Sequence, residues 1–219
     1  EPTHAEIRRL NTIVRKLKQS PKKVIFRAMK CTSAVDIHTD AGYRRMDGDD
    51  VKGYGMRGMN MMRLGKAKKD RQPCVHLVHA SCKSHRLVVR SSYSAEALSA
   101  AHGVEDAFPT LVSLHEIQNR ILPAVQLKNL RDLDPPEALT QHATAVLKGL
   151  NLDTTLTIDA ESVYNSLTSR DLRVPSEKTL LGHIAWLREM FALGIIKRLQ
   201  WCDTRDMTAD GHTKGCIDR

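Results

Sequence analysis

Aromatic residues make up only 4% of this 219-residue chain. A core is therefore expected from Leu, Val, Ile, Ala and Met, and a hydrophobic content of 41% is enough to supply one. The five cysteines, Cys31, Cys74, Cys82, Cys202 and Cys216, lie far apart and form no C-x-x-C pair. That argues against a zinc ribbon or a disulfide framework and for a reducing compartment. No apolar run is long enough to span a membrane, and no signal-peptide pattern opens the chain. An initiator Met is missing too, and the chain stops on Cys216-Ile217-Asp218-Arg219 without a tail, so it is expected to be a piece of something longer.

Positive charge, by contrast, is plentiful. The net charge is +9 and the isoelectric point about 9.5, which points to a polyanionic partner such as nucleic acid. Residues 1–30 hold nine basic and two acidic residues, and so supply +7 of the +9. Within them Ile7, Leu10, Val14 and Leu17 recur at helical spacing, predicting a basic helix over Ala5–Lys18 that Ser20-Pro21 ends. Such a helix lies either against a phosphate backbone or as an ordinary solvated face. The length suits one medium domain with an appendage, or two small domains.

The remaining pattern predicts three consecutive strands: Ala34 to about Asp40, Val51–Leu64 with Gly53, Gly55 and Gly58 inserted, and Cys74–Ala80. Val24–Phe26 offers the start of a further short strand. Strict alternation sets His76 and His79 on opposite faces, which excludes a zinc cluster with His85. A helix follows over about Ala95–Ala107, with Pro109 kinking or restarting it. Residues 122–153 read as a long connection with one helix. Thr154–Ile158 is a β-branched strand, Glu161–Leu167 a short helix, and Pro175 opens a longer helix that Gly194 ends. Ile195–Trp201 is the last strand, and a turn over Asp206–Lys214 leads into a closing helix. Three sequential strands imply a meander, and the later crossovers imply parallel pairing. The fold class is α/β, a mixed five-stranded sheet with helices on its faces. A helix-turn-helix around Pro175–Lys197 is excluded, because Gly194 leads into a strand.

Four short stretches each carry a carboxylate at a strand end or helix start: Asp40, Glu96, Asp159 and Asp210. Each has an ordinary structural role available, in a turn or at a helix N-terminus. Together they are read as a quartet that meets around metal ions.

The stretches that hold these acids resemble the ribonuclease H domain at the C-terminal end of copia-type retrotransposon Gag-Pol polyproteins. The matching motifs are Thr39-Asp40-Ala41, Ser91-Ser92-Tyr93-Ser94-Ala95-Glu96-Ala97, Ile158-Asp159-Ala160-Glu161-Ser162 and Ala209-Asp210-Gly211-His212-Thr213-Lys214. Lys178 and Arg188-Glu189 fit the family's helix between the last two motifs. The likeness runs from about residue 5 to residue 217, and the final motif is its most specific part. Two features depart from it: the long connection at 122–153 and the glycine- and methionine-rich second strand.

The resemblance implies a ribonuclease H-like sheet over 31–219, preceded by a linker, 1–30, that joins it to an upstream reverse transcriptase. It implies a nuclease that cleaves the RNA strand of RNA–DNA hybrids with two Mg²⁺ ions, for which Mn²⁺ can substitute. Asp40 would bridge both ions, Glu96 and Asp159 would hold the one near the leaving group, and Asp210 would help hold the one that activates water. Lys83, Arg86 and Lys178 are the expected phosphate contacts. His212 is the candidate proton shuttle, although the motif does not demand a histidine there. The implied setting is intracellular, in a cytoplasmic retroelement particle or the nucleus, with no membrane partner. The alternative is a catalytically inactive module of a decayed retroelement that only grips the hybrid.

Overall fold

The computed structural model describes residues 4–19, 29, 34–44, 54–65, 74–85, 87, 89–119, 152–171 and 174–213. The expected strand at Val24–Phe26 and nearly all of the 122–153 connection lie outside them. The basic helix is α1 (His4–Gln19). The sheet is built from β1 (Ala34–Arg44), β2 (Tyr54–Leu64), β3 (Val75–Ser84), β4 (Asp153–Ile158) and β5 (Arg198–Trp201). Between β3 and β4 comes α2 (Ser92–Asn119), and α3 (Glu161–Thr168) and α4 (Leu180–Ala192) separate β4 from β5. A 3-10 turn at Thr204–Asp206 leads to the short closing helix α5 (Asp210–Thr213).

The strands run in the order β3-β2-β1-β4-β5. The first three form an antiparallel meander, whereas β4 pairs parallel with β1 and β5 parallel with β4. This is the expected mixed sheet of five strands, and β1 is its centre.

Alternation along β1 sorts its side chains between two faces. Val35, Ile37, Thr39 and Ala41 are buried on the face that α2 covers. There Val35 and Ile37 join Met59, Met61, Ala97, Ala100, Ala101 and Val104 in the main core. The small residues of α2 let its backbone come close to the sheet. At Gly103 any Cβ would collide with the Thr39 side chain, so glycine is required there for steric reasons. Each fully buried Val, Ile or Leu in this layer contributes about 1.5–3 kcal/mol. β4 is buried from Thr154 to Ile158, as expected of an inner strand with parallel neighbours on both sides.

The other face of β1 and β2 is covered by the closing segment. A Cβ on Gly42 would sit 2.7 Å from the Thr213 carbonyl oxygen, and one on Gly58 2.9 Å from the Ala209 carbonyl oxygen and the His212 Cβ. Gly58, one of the glycines that weaken β2 as a strand, thus allows α5 to lie on it, as Gly42 does on β1. Asn60 fixes the segment at two points. Its Nδ2 donates to the Thr208 carbonyl at 2.8 Å, and its Oδ1 lies 2.8 Å from His212 Nε2.

Several boundaries differ from the sequence expectation. α2 passes through Pro109 without a break. Proline cannot donate to the Glu105 carbonyl, but both residues are exposed, so water can satisfy that oxygen. α4 starts at Leu180 rather than Pro175, and β5 at Arg198 rather than Ile195. Gly194, at φ +70°, ends α4, and the Ile195 N–H donates to the Met190 carbonyl at 3.0 Å. Ile195 and Ile196 are buried in the core before the last strand begins.

β3 extends to Ser84 and is bulged. Met61 pairs with His79 but Met62 with Leu77, so Val78 is an extra residue. His76 pairs with Arg63 and His79 with Met61, residues two apart on β2. The two histidines therefore share a face, and the alternation argument that separated them fails at the bulge.

Candidate metal centre

Sheet register brings the first two carboxylates together. The parallel pairing of β1 with β4 runs from Ala34↔Asp153 to His38↔Thr157. Two residues further along each chain stand Asp40 and Asp159, side by side where β4 ends. Glu96 arrives from the first turns of α2. Three residues later on that helix, the Ser99 hydroxyl donates to the Asp40 carbonyl at 2.7 Å, locking α2 to β1 at the level of Asp40. As a result one ligand oxygen each of Asp40, Glu96 and Asp159 lies within 4.8 Å of the others. Asp40 is 1% exposed, and the other two are partly buried.

Three ionised carboxylates this close repel, on the order of 3 kcal/mol per pair at an effective dielectric of 20. An all-oxygen donor set with net negative charge fits a hard divalent cation such as Mg²⁺. Negative charge extends below the group as well. The thiol of Cys202, just after β5, is pushed up to about 11 by burial and then by Asp159, Asp206, Asp36 and Asp203. It is protonated at neutral pH and is neither nucleophile nor thiolate ligand. Asp36, two turns of the pleat below Asp40, accepts from the Thr157 hydroxyl at 2.7 Å and lies 3.0 Å from His38 Nε2.

Asp210 sits at the start of α5, partly buried, and its carboxylate is not in the group of three. The link between them is Thr213. Its hydroxyl donates to Asp40 Oδ2 and lies 3.3 Å from the Asp210 carbonyl. His212, the candidate shuttle, has its Nε2 engaged by Asn60.

Among the expected phosphate contacts, Lys83 Nζ is 3.1 Å from Asp106 Oδ2, which Arg57 also approaches at 3.6 Å. Lys178 is exposed in the turn before α4. Its neighbour Glu177 accepts from the Ser94 hydroxyl at 2.5 Å, which ties that turn to the start of α2, two residues before Glu96. Arg86 lies outside the described residues.

Three residues that shape this site received no role from the sequence. Thr213 stood inside the quoted final motif, and Ser99 is one helical turn from Glu96. Trp201 closes β5, and its indole N–H donates to the Asp159 carbonyl at 2.9 Å; its position at the end of the last strand, two residues before Asp203, was the available signal.

No protein-family model matches the chain, and no curated protein matches it. Solved structures do. The N-terminal RNase H domain of a Mycobacterium tuberculosis protein, fused to maltose-binding protein, is 14% identical, with 84% of this chain and 92% of that one covered and a TM-score of 0.43. LC11-RNase H1 in complex with an RNA/DNA hybrid is 13% identical over 84% and 96%, with a TM-score of 0.43. The foamy viral protease-reverse transcriptase in complex with dsDNA is 10% identical over 84% and 94%, also at 0.43. Among the described residues no helix is long and apolar enough to cross a membrane.

Proposed function

We propose that this chain is a metal-dependent ribonuclease H that hydrolyses the RNA strand of RNA–DNA hybrids. The observation that carries the reading is the meeting of Asp40, Glu96 and Asp159 within 4.8 Å, from a strand, a helix and a strand end far apart in sequence. The mixed sheet, with a meander joined to parallel strands, agrees with it, as do the four motifs that resemble copia-type retrotransposon ribonuclease H. In this reading the chain works inside the cell beside an upstream reverse transcriptase, within the same Gag-Pol polyprotein.

Asp40, Glu96 and Asp159 would hold Mg²⁺, with Asp210 contributing from α5. A pair of such ions supplies an activated water and charge stabilisation at the leaving oxygen. The chain's own residues fix where this happens. Ser99 and Thr213 bracket Asp40, one at its carbonyl and one at its carboxylate. That holds the least exposed acid in one rotamer, so an incoming cation meets a pre-set oxygen. Lys178, on the turn held to α2 through Glu177, is the described basic side chain offered to a phosphate backbone.

The test is cleavage of an end-labelled hybrid with Mg²⁺, with Mn²⁺ and with chelator. Metal-dependent cuts in the RNA strand are expected, lost at least a thousandfold in Asp40→Asn. Equal cutting of duplex DNA would count against the reading. Tight hybrid binding with no cleavage under any metal would instead establish the non-catalytic module, a reading that the position of Asp210 outside the group of three favours.

A further inference from the structure

Next to the carboxylates lies an open groove of about 530 Å³ between α3 and β5, lined by Glu161, Tyr164, Asn165, Leu199, Gln200 and Trp201. Trp201 is its link to the metal centre. The ring is tethered by its N–H to the carbonyl of Asp159, whose carboxylate belongs to the group of three. One edge is thereby fixed while the residue stays 48% exposed. The chain has two tryptophans. The other, Trp186, packs edge-on against Phe108 with centroids 5.8 Å apart. Trp201 instead presents a large, oriented aromatic surface to solvent beside the centre.

The chemistry of the lining selects an occupant. The single charged lining residue is Glu161, which repels a phosphate and rules out a backbone-binding role. Asn165 and Gln200 carry amides that both donate and accept, matching the edges of a nucleobase. Tyr164 and Trp201 supply apolar, aromatic surface for its face. A base paired within a hybrid keeps its π-face inside the stack, so only an unpaired base can use such a surface.

We propose that this groove receives an unpaired nucleobase flanking the scissile phosphate, stacked on Trp201, so that the preferred substrate is a hybrid that runs into single strand. The proposal rests on the nuclease reading for its substrate, and names the part of that substrate the hydrolytic residues do not touch.

The experiment uses the full chain with Trp186→Phe, leaving Trp201 as sole tryptophan, and Asp40→Asn to prevent cleavage. Its emission is titrated with three hybrids: blunt, with a short RNA overhang at either end, and with the same overhangs made abasic. Saturable quenching is expected with a base-bearing overhang and little with the other two. Measured by anisotropy of an end-labelled overhang hybrid, the affinity of Trp201→Ala should fall roughly ten- to a hundredfold, while Trp201→Phe, which keeps a stacking face, should retain most of it. Equal quenching by abasic and base-bearing overhangs overturns the proposal without needing any Trp201 variant to fold. So does wild-type cleavage of blunt and overhang hybrids at equal rates, which leaves the nuclease reading standing. Overhang-dependent quenching in a chain that cleaves nothing removes the nuclease reading and keeps the groove as a base-binding site.

Discussion

Asp40 is buried beside two other acids, and its carboxylate accepts from Thr213 while its carbonyl accepts from Ser99. A carboxylate held in place by neighbours and repelled by others is destabilising when bare and useful when a cation arrives. That trade has a measurable sign. In chelator, Asp40→Asn should melt higher than the wild type, because one of three like charges is gone. With Mg²⁺ at about ten times its Kd, the wild type should gain about 1.4 kcal/mol, or roughly 3–5 °C for a domain of this size. Asp40→Asn should gain little. Melting curves followed by circular dichroism with and without Mg²⁺ check both halves. A wild type indifferent to Mg²⁺ would mean the three acids are a structural cluster and not a metal site.

Elements meet at the far side of α2 through a row of histidines. His85 follows β3, His102 lies on α2 and His183 on α4, with ring centroids 6.5 and 5.8 Å apart. Both ring nitrogens of His85 are buried with no hydrogen-bond partner among the described residues. Its pKa is lowered from 6.5 to about 4 by burial, then by His102 and Arg57. His183 is lowered too, by burial and then His102, against an opposing pull from Glu105. Lowered values mean that the unfolded chain takes up protons that the folded chain refuses. Stability is therefore full above pH 6.5 and is lost as pH falls from 6.5 towards 4. His85→Phe keeps a ring against His102 and removes both unpartnered nitrogens. It should raise stability at pH 7 by about 1 kcal/mol and flatten the loss between pH 6.5 and 4. Urea midpoints at pH 7 and pH 5 decide it; an unchanged pH slope would show that other groups drive the acid loss.

Across the whole molecule, what the sequence revealed was local, and what it hid was not. Val35 and Ile37 alternating before Asp40, and the β-branched run before Asp159, announced two strands that each end in an acid, and the crossovers between them implied parallel pairing. Register then put the acids together. The bulge at Val78 was hidden because it depends on the pairing with β2. Pro109 suggests a kink or a restart, and that the helix instead runs on as one element rests on solvent access to the Glu105 carbonyl, which belongs to the tertiary structure. The glycines of β2 looked like defects until α5, some 150 positions away, was seen against Gly58. Trp201 was an ordinary strand residue until its tether to Asp159 appeared.

Charge is the other property of the whole, and it separates two lysines that the sequence treated alike. Lys83 already shares Asp106 with Arg57, so its charge is partly offset by a neighbouring carboxylate. Lys178 is exposed and makes no ion pair among the described residues. Neutralising a phosphate releases counterions, and each contact adds roughly 0.9 to the slope of log K against log salt on a duplex. Hybrid binding by Asp40→Asn should therefore weaken steeply with salt. Adding Lys178→Ala should lower the slope by about one, with little dependence on base sequence. Adding Lys83→Ala should change it less, since removing that lysine leaves Asp106 still facing Arg57. Fluorescence anisotropy across a salt series measures all three slopes. A larger change at Lys83 than at Lys178 would show that Asp106 releases its lysine to the substrate, and would move the phosphate track from the α4 turn to the β3 end.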